Sequence, residues 1–447
     1  MVKRKWFGTD GIRGEANVAP MTPEHSIQVG QAIAVRLRRS GNLPRVIIGK
    51  DTRRSGYMFE AALAAGVLSA GADVLHVGVL PTPGIAFMVG ALRADAGLVV
   101  SASHNPYYDN GIKVFGGDGF KLPDDEEAEI EVLMESAFRQ QALASREALG
   151  RSYRIEDGLG RYVTYLKNVF PRTLSLNGVK MVVDCAHGAG YKVAPTVFRE
   201  LGAGVIEVGT TPDGININKD CGALHPEKMA QLVVEHGANI GLALDGDGDR
   251  VILADENGAV VDGDHILAIC AHHLKATGGL QTDTVVATVM SNLGLEVALK
   301  RRGITLVRTS VGDRYVVDEM RKGGHSLGGE QSGHVIFLDY GTTGDGVLCA
   351  LKVLAAMMHD GRSLSDLARV MERFPQTIVN QTVANKRPLA ELPEISRRIQ
   401  MAEARLGEDS RVVVRYSGTE PLVRVMVEGV DVQLVKEMAH FVADGFV

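Results

Sequence analysis

A serine stands beside a histidine in the stretch Ser101-Ala102-Ser103-His104-Asn105-Pro106, and YYDNGIK follows at once. The proline pushes Asn105 toward extended geometry, and an Asn-Pro pair favours a turn. The run before it, Gly97 to Val100, is short and apolar and reads as a buried strand. The serines then sit at the carboxyl end of that strand, where open α/β sheets hold ligands. A hydroxyl placed there beside a potential base is a candidate nucleophile. A plain Ser/Asn turn would use the same residue types, so a second signature is needed.

That signature is LDGDGDR, in which Asp245, Asp247 and Asp249 alternate with glycines. Three carboxylates this close repel one another unless a cation sits between them. Oxygen ligands at this density suit Mg²⁺ or Ca²⁺, and the glycines let the backbone curl so that the side chains converge. An EF-hand calcium loop is one competitor, and Glu256 falls at its twelfth position. Its sixth position needs glycine for a sharp turn, and Arg250 stands there instead. The flanks NIGLAL and RVILAD read as strands, whereas an EF-hand needs helices. A solvated acidic turn is a further alternative. The expectation is a divalent cation in an enzyme site, with Mg²⁺ favoured because few protein ligands leave room for phosphate oxygens.

The elements that must position these groups repeat three times. One unit opens with the strand RVIIGKD, passes through an Ala-rich helix and ADVLHVG, and ends at GLVV and SASHNP. A second opens with KMVVDCAHGAG, continues through GVIEVG, and ends at NIGLAL and DGDGD. A third opens with TVVATVMSN, continues through ITLVRTS, and ends at HSLGGEQSGHVIFLD. Each closes with a strand, a polar loop and another strand. Alternating strands and helices imply mostly parallel sheets built from right-handed crossovers, with the three polar loops facing one cleft. The tail from about Phe374 differs: TIVNQTV, a charged helix, RVVVRYSGTEPLVRVMVEG and a final amphipathic helix predict a small α+β unit, with Pro375 as its linker. Its loop carries Arg415, Ser417, Gly418 and Thr419, with Arg424 on the next strand. Backbone N–H groups, hydroxyls and arginines together would cradle a phosphate; an ordinary hairpin turn is the plainer alternative. The expected class is α/β: three similar mixed-sheet domains (1–155, 156–256, 257–372) and a smaller α+β domain (373–447) around a central cleft.

Length and composition bound this reading. A chain of 447 residues is too long for one typical domain. A net charge of −6 gives no electrostatic case for nucleic acid or an anionic membrane. The basic start MVKRK is followed by no apolar signal core, and VLCALKVLAAMM is too short for a span and carries Lys352. Cys185, Cys221, Cys270 and Cys349 lie far apart without a CxxC, as expected of reduced cysteines in a cytoplasmic protein. Cys185 and Cys221 fall near the polar loops, so a reactive thiol is an alternative there. The run Asp124 to Glu127 reads as the exposed acidic first turn of a helix.

From KWFGTDGIRG to RYSGTEPLVRVM, nearly the whole chain resembles the α-D-phosphohexomutase family, with each motif in order. The SASHNPYYDNGIK, GEQSGH and RYSGTEP forms are similar to its glucosamine-type members. The resemblance implies four domains around a cleft and a covalent phosphate on Ser103. It implies one Mg²⁺ per chain, held by Asp245, Asp247, Asp249 and an oxygen on Ser103. It places Glu330, Ser332 and His334 in a sugar-specificity loop. Arg415, Ser417, Gly418, Thr419 and Arg424 would grip the substrate's non-reacting phosphate. Arg13 and Lys113 would border the reacting centre, with Arg250 near Lys113 as a further candidate catalytic residue. The implied reaction interconverts the 6- and 1-phosphates of glucosamine through a sugar 1,6-bisphosphate, feeding amino-sugar metabolism. The implied partner is a small sugar phosphate, and a homodimer is expected. The general base is Lys113, its pKa depressed by Arg250, or else His104. Rival readings are a phosphogluco- or phosphomannomutase, a metal-dependent phosphatase, and a sugar-phosphate sensor.

Overall fold

Apolar, β-rich runs build the centre of each unit in the computed structural model, which describes residues 4–38, 43–135, 143–383, 385–407, 409–416 and 421–446. In the first unit Arg45–Lys50 pairs in parallel with Asp73–Val79 and Ala96–Val100. Asp109–Gly116 then runs antiparallel to Ala96–Val100. Ile12–Glu15 and Ser152–Arg154 close the two edges. In the second unit Lys180–Asp184 lies parallel to Gly204–Val208 and Ile240–Leu244, and Val251–Asp255 returns antiparallel. In the third, Thr284–Thr288 lies parallel to Thr305–Thr309 and Leu327–Gly329, and Val335–Phe337 returns antiparallel. The spatial order is the same each time: second strand, first, third, then a reversed fourth.

That reversal explains the repeat's chemistry. A tight polar loop joins the third strand to the reversed one, at the carboxyl end of each sheet's centre. The three loops are the SASHNP, DGDGD and EQSGH segments. The central strands are buried on both faces, as sheets covered by helices require.

One hydrophobic core runs through the first three units without a break, from Ile47 and Phe115 through Val183 and Leu244 to Leu267 and Leu354. Tyr162, on the helix Gly158–Val169, joins it and donates a 2.6 Å hydrogen bond to Asp345 Oδ2. The fourth sheet is antiparallel: Gln376–Thr382, Leu422–Glu428 and Arg411–Tyr416. It packs on the helices Pro393–Leu406 and Val432–Ala443 around a separate core of Val425, Val427, Val435 and Met438. Three units thus share one interior, and the fourth meets them through polar contacts. Asn292 Nδ2 donates to Phe374 O at 3.0 Å and to Glu428 Oε1 at 3.1 Å, and Arg411 donates to Ser291 O at 2.8 Å.

One expectation needs correction, and one alternative falls away. Asp124–Leu133 is the anticipated helix, but Glu127 is only 2% exposed. It is held between Arg4 and Arg314, and the Arg314 bond of 2.6 Å ties the first unit to the third. The four cysteines are free and buried, and burial pushes the Cys221 thiol up to about 12 and Cys185 well above the usual range. Neither is a reactive thiolate. No helix among the described residues is long and apolar enough to cross a membrane.

Candidate active site

Ser103 sits in the left-handed region, with φ 53°. A non-glycine residue persists there only when its surroundings hold it, and the surroundings are dense. Its N–H donates to Ser101 Oγ at 3.0 Å, and Ser101 Oγ donates to Asp51 Oδ2 at 2.5 Å. The fully buried Arg53 pairs with Asp51 and donates to the carbonyls of Ser103 (3.1 Å) and Asn105 (2.6 Å). From the second unit, Asn218 Nδ2 donates to the same two carbonyls at 2.9 and 3.0 Å. The Ser103 hydroxyl is thereby aimed across the domain boundary. It donates to Asp245 Oδ2 at 2.6 Å and stands 3.3 Å from His104 Nδ1.

The acidic loop is brought up against this serine by its glycines. A Cβ on Gly246 would lie 2.5 Å from the Ser103 carbonyl oxygen, and Gly248 turns the chain at φ 72°. Asp245, Asp247 and Asp249 are all buried, and their ligand atoms lie within 4.8 Å of one another. Burial and the neighbouring Asp249 and Asp247 push Asp245 well up. Burial also works against Asp249, but Lys113 and His334 hold it well below the usual carboxylate range. Thr82 Oγ1 donates to Asp247 Oδ2 at 2.6 Å. Asp247 Oδ1 and Asp249 Oδ1 are buried and accept no hydrogen bond among the described residues. Buried carboxylate oxygens left this way suit a hard divalent cation.

Lys113 is fully enclosed, with its ammonium 2.8 Å from Asp247, 3.2 Å from Asp10 and 3.3 Å from Asp249. Burial opposes its charge, yet the three carboxylates hold its pKa well above the usual value. A lysine depressed by Arg250, as the sequence suggested, is therefore not what the fold builds. Arg250 instead donates to His104 Nδ1 at 3.2 Å. Burial, then Arg250 and Arg13, push the His104 imidazole down to about 4. His104 thus stands beside the Ser103 hydroxyl, and Lys113 stands among three carboxylates. Arg13 pairs with Asp10 on the same side of the site.

The third unit reaches the centre through His334, which is 2% exposed. Its Nδ1 lies 3.6 Å from Asp249 Oδ1, and its Nε2 accepts from Gly344 N at 3.1 Å. His334 thus faces the carboxylates rather than open space. Glu330 is half-buried and accepts from Gly312 N at 3.1 Å and from the exposed Ser332 hydroxyl at 3.4 Å. Arg415 and Arg424 are cross-strand neighbours in the fourth sheet. They line a cavity of about 320 Å³ with Ile378, Asn380 and, from the third unit, Met290. Burial and Arg424 lower the pKa of Arg415. Ser417, Gly418 and Thr419 lie outside the described residues.

The sequence reading gave no role to Asp51, Arg53, Thr82 or Asn218. The one available signal was KDTRR, a charged run at a strand's carboxyl end.

Three repeated α/β units meeting at a serine and a carboxylate trio, with an arginine-bearing fourth unit, define a phosphohexomutase architecture. Four family models match in chain order: the phosphoglucomutase/phosphomannomutase alpha/beta/alpha domains I, II and III, at residues 4–141, 160–258 and 262–374, and the C-terminal domain, at 378–445. The phosphoglucosamine mutase of Citrifermentans bemidjiense is 57% identical over 428 residues, covering 96% of this chain and 94% of that one. The phosphoglucosamine mutase of Myxococcus xanthus is 56% identical over 441 residues, covering 99% and 96%. Among solved structures, a phosphoglucomutase/phosphomannomutase family protein of Burkholderia thailandensis superposes with a TM-score of 0.81 at 24% identity, covering 100% and 97%. The N-acetylphosphoglucosamine mutase of Aspergillus fumigatus, solved with GlcNAc-6P and magnesium, gives 0.70 at 17% identity, covering 100% and 96%. The chain belongs to the phosphoglucosamine mutase family of the phosphohexomutases.

Proposed function

We propose that this enzyme interconverts glucosamine 6-phosphate and glucosamine 1-phosphate, using Ser103 as a phosphoryl carrier. The observation that carries this reading is the 2.6 Å contact between the Ser103 hydroxyl and Asp245, in a trio with unsatisfied oxygens. A serine in that position is suited to hold a phosphoryl group against a divalent cation. Asp245, Asp247 and Asp249, with an oxygen on Ser103, would hold Mg²⁺, which supplies charge neutralisation for the transferring group.

Phosphoryl transfer asks a protein mainly for positioning and electrostatics. Arg53 and Asn218 fix the backbone of Ser103, so its oxygen is presented in one direction. Lys113, Arg250 and Arg13 surround the point where negative charge gathers. His104, whose Nδ1 stands 3.3 Å from Ser103 Oγ, takes the proton from the attacking sugar hydroxyl once Arg250 turns from that nitrogen to the transferring phosphate. The bond from phosphorus to Ser103 Oγ breaks as the bond to the sugar oxygen forms, and Ser103 Oγ takes up the proton that His104 carries. The resulting 1,6-bisphosphate stays bound, turns over within the cleft, and returns its other phosphate to Ser103. Glu330 and Ser332 contact the sugar, and Arg415 and Arg424 hold the distal phosphate. The units at 1–155, 156–256, 257–372 and 373–447 divide these tasks. The separate core of the last one supports closure about Pro375, which shields the phosphoserine from water.

The amino-sugar preference is supported by the relatives' identity and tested by competition. Turnover of glucosamine 6-phosphate should exceed that of glucose 6-phosphate in kcat/KM. Equal values would favour a phosphoglucomutase, and net release of inorganic phosphate would favour a phosphatase.

A further inference from the structure

Remote from the serine, two helices of the third unit bring a second set of ligand-bearing side chains together. His273 lies in the last turn of Gly263–Ala276, and His359 and Asp360 end the helix Gly346–Asp360. The two helices pack on one another, and Gly361, at φ 61°, caps the second so that His359 and Asp360 stand at its very end. One ligand atom from each of the three residues lies within 4.8 Å of the others. The imidazoles meet edge to face at 5.2 Å between centroids, and His359 Nδ1 is 2.9 Å from Asp360 Oδ1.

We infer that His273, His359 and Asp360 form a binding site for a borderline transition-metal ion, Zn²⁺ above all. The ligand chemistry sets this site apart from the catalytic trio. Three carboxylates select hard cations such as Mg²⁺, whereas two imidazoles and one carboxylate select Zn²⁺ and its neighbours. Ligand atoms about 2.0–2.2 Å from a tetrahedral zinc lie roughly 3.3–3.6 Å apart, so closure from within 4.8 Å takes up to about 1.5 Å of side-chain movement. The side chains of His359 and Asp360 are 57% and 36% exposed and are free to supply it. Lys352, on the same helix as His359, is engaged 3.4 Å from the Tyr340 ring centroid.

Three protein ligands leave coordination positions open. His273 and Asp360 line a cavity of about 340 Å³ together with His272, Arg302, Arg362 and Arg369. The arginines fit a small anion, or water, as the remaining ligand. The bound ion would cross-link the carboxyl-terminal ends of two core helices and stabilise the third unit.

The test is calorimetric titration of Zn²⁺ into untagged full-length protein, with excess Mg²⁺ occupying the catalytic trio. Wild type and Asp245→Asn should each take up one Zn²⁺ and gain thermal stability. His359→Ala and His273→Asn should bind Zn²⁺ at least about tenfold more weakly, the scale on which even an outer-sphere partner acts. His359→Ala should keep full Mg²⁺-dependent turnover in zinc-free buffer, which shows that its fold is intact. Unchanged zinc binding in both histidine variants, or loss of the site in Asp245→Asn, would overturn the proposal.

Discussion

The guanidinium of Arg53 donates to the carbonyl oxygen of Ser103 at 3.1 Å while pairing with Asp51 in a fully buried position. The proposed phosphate carrier is therefore held from beneath by a residue that need never touch substrate. Ser101 and Asn218 complete the support.

Arg53→Met strands the Asp51 carboxylate without its cation, and stability should fall by about 3–5 kcal/mol. The released Ser103 should relax from its left-handed conformation, so kcat drops more than KM rises. Arg53→Lys restores charge but not the fork that spans two carbonyls. It should recover much of the Tm and little of kcat. Thermal melts and steady-state kinetics on both variants check this. Parallel recovery of Tm and kcat in the lysine variant would argue against a positioning role.

Lys113 already neutralises part of the carboxylate trio. Chelation of divalent metal should stop turnover yet leave the fold and Tm nearly unchanged. Lys113→Met should destabilise the chelated protein by about 3–5 kcal/mol, and Mg²⁺ should restore part of that loss. Melts of both proteins with chelator and with Mg²⁺ decide it. An equal loss under both conditions would show that lysine and metal do not share the same charges.

Asp264 is buried beneath the joint to the fourth unit, where Oδ2 accepts from Asn292 N at 2.8 Å. Burial raises its pKa from 3.8 to about 7. The native state therefore binds a proton that the unfolded chain releases across this window. Stability contributed by Asp264 is full below pH 3.8 and is lost as pH rises toward about 7, by at most about 1.4 kcal/mol per pH unit. Asp264→Asn should remove that slope and gain relative stability at pH 8. Chemical denaturation at pH 5, 6.5 and 8 provides the measurement.

The parts of this site legible in the sequence are those whose chemistry is local. SASHNP and DGDGD each present their groups within a few residues, and the repeat exposed the loops that end each sheet's third strand. What stayed hidden depends on convergence of distant segments. Asp51, Arg53, Thr82 and Asn218 are ordinary polar residues until folding sets them against Ser103 and Asp247. The surroundings of Lys113 are hidden for the same reason: three carboxylates from two other segments surround it, and spacing along the chain does not reveal them. Glu127 looked solvated because its partners Arg4 and Arg314 come from far away in sequence.

The central claim is that Ser103 stores and returns the phosphoryl group. Protein bearing radiolabelled phosphate on Ser103, mixed with unlabelled glucosamine 6-phosphate for a single turnover, tests it most directly. The label should leave the protein and appear in sugar phosphates, and Ser103→Ala should neither take up label nor interconvert the two sugar phosphates. Label that stays on the protein while the sugars interconvert, or that emerges only as inorganic phosphate, would contradict the account.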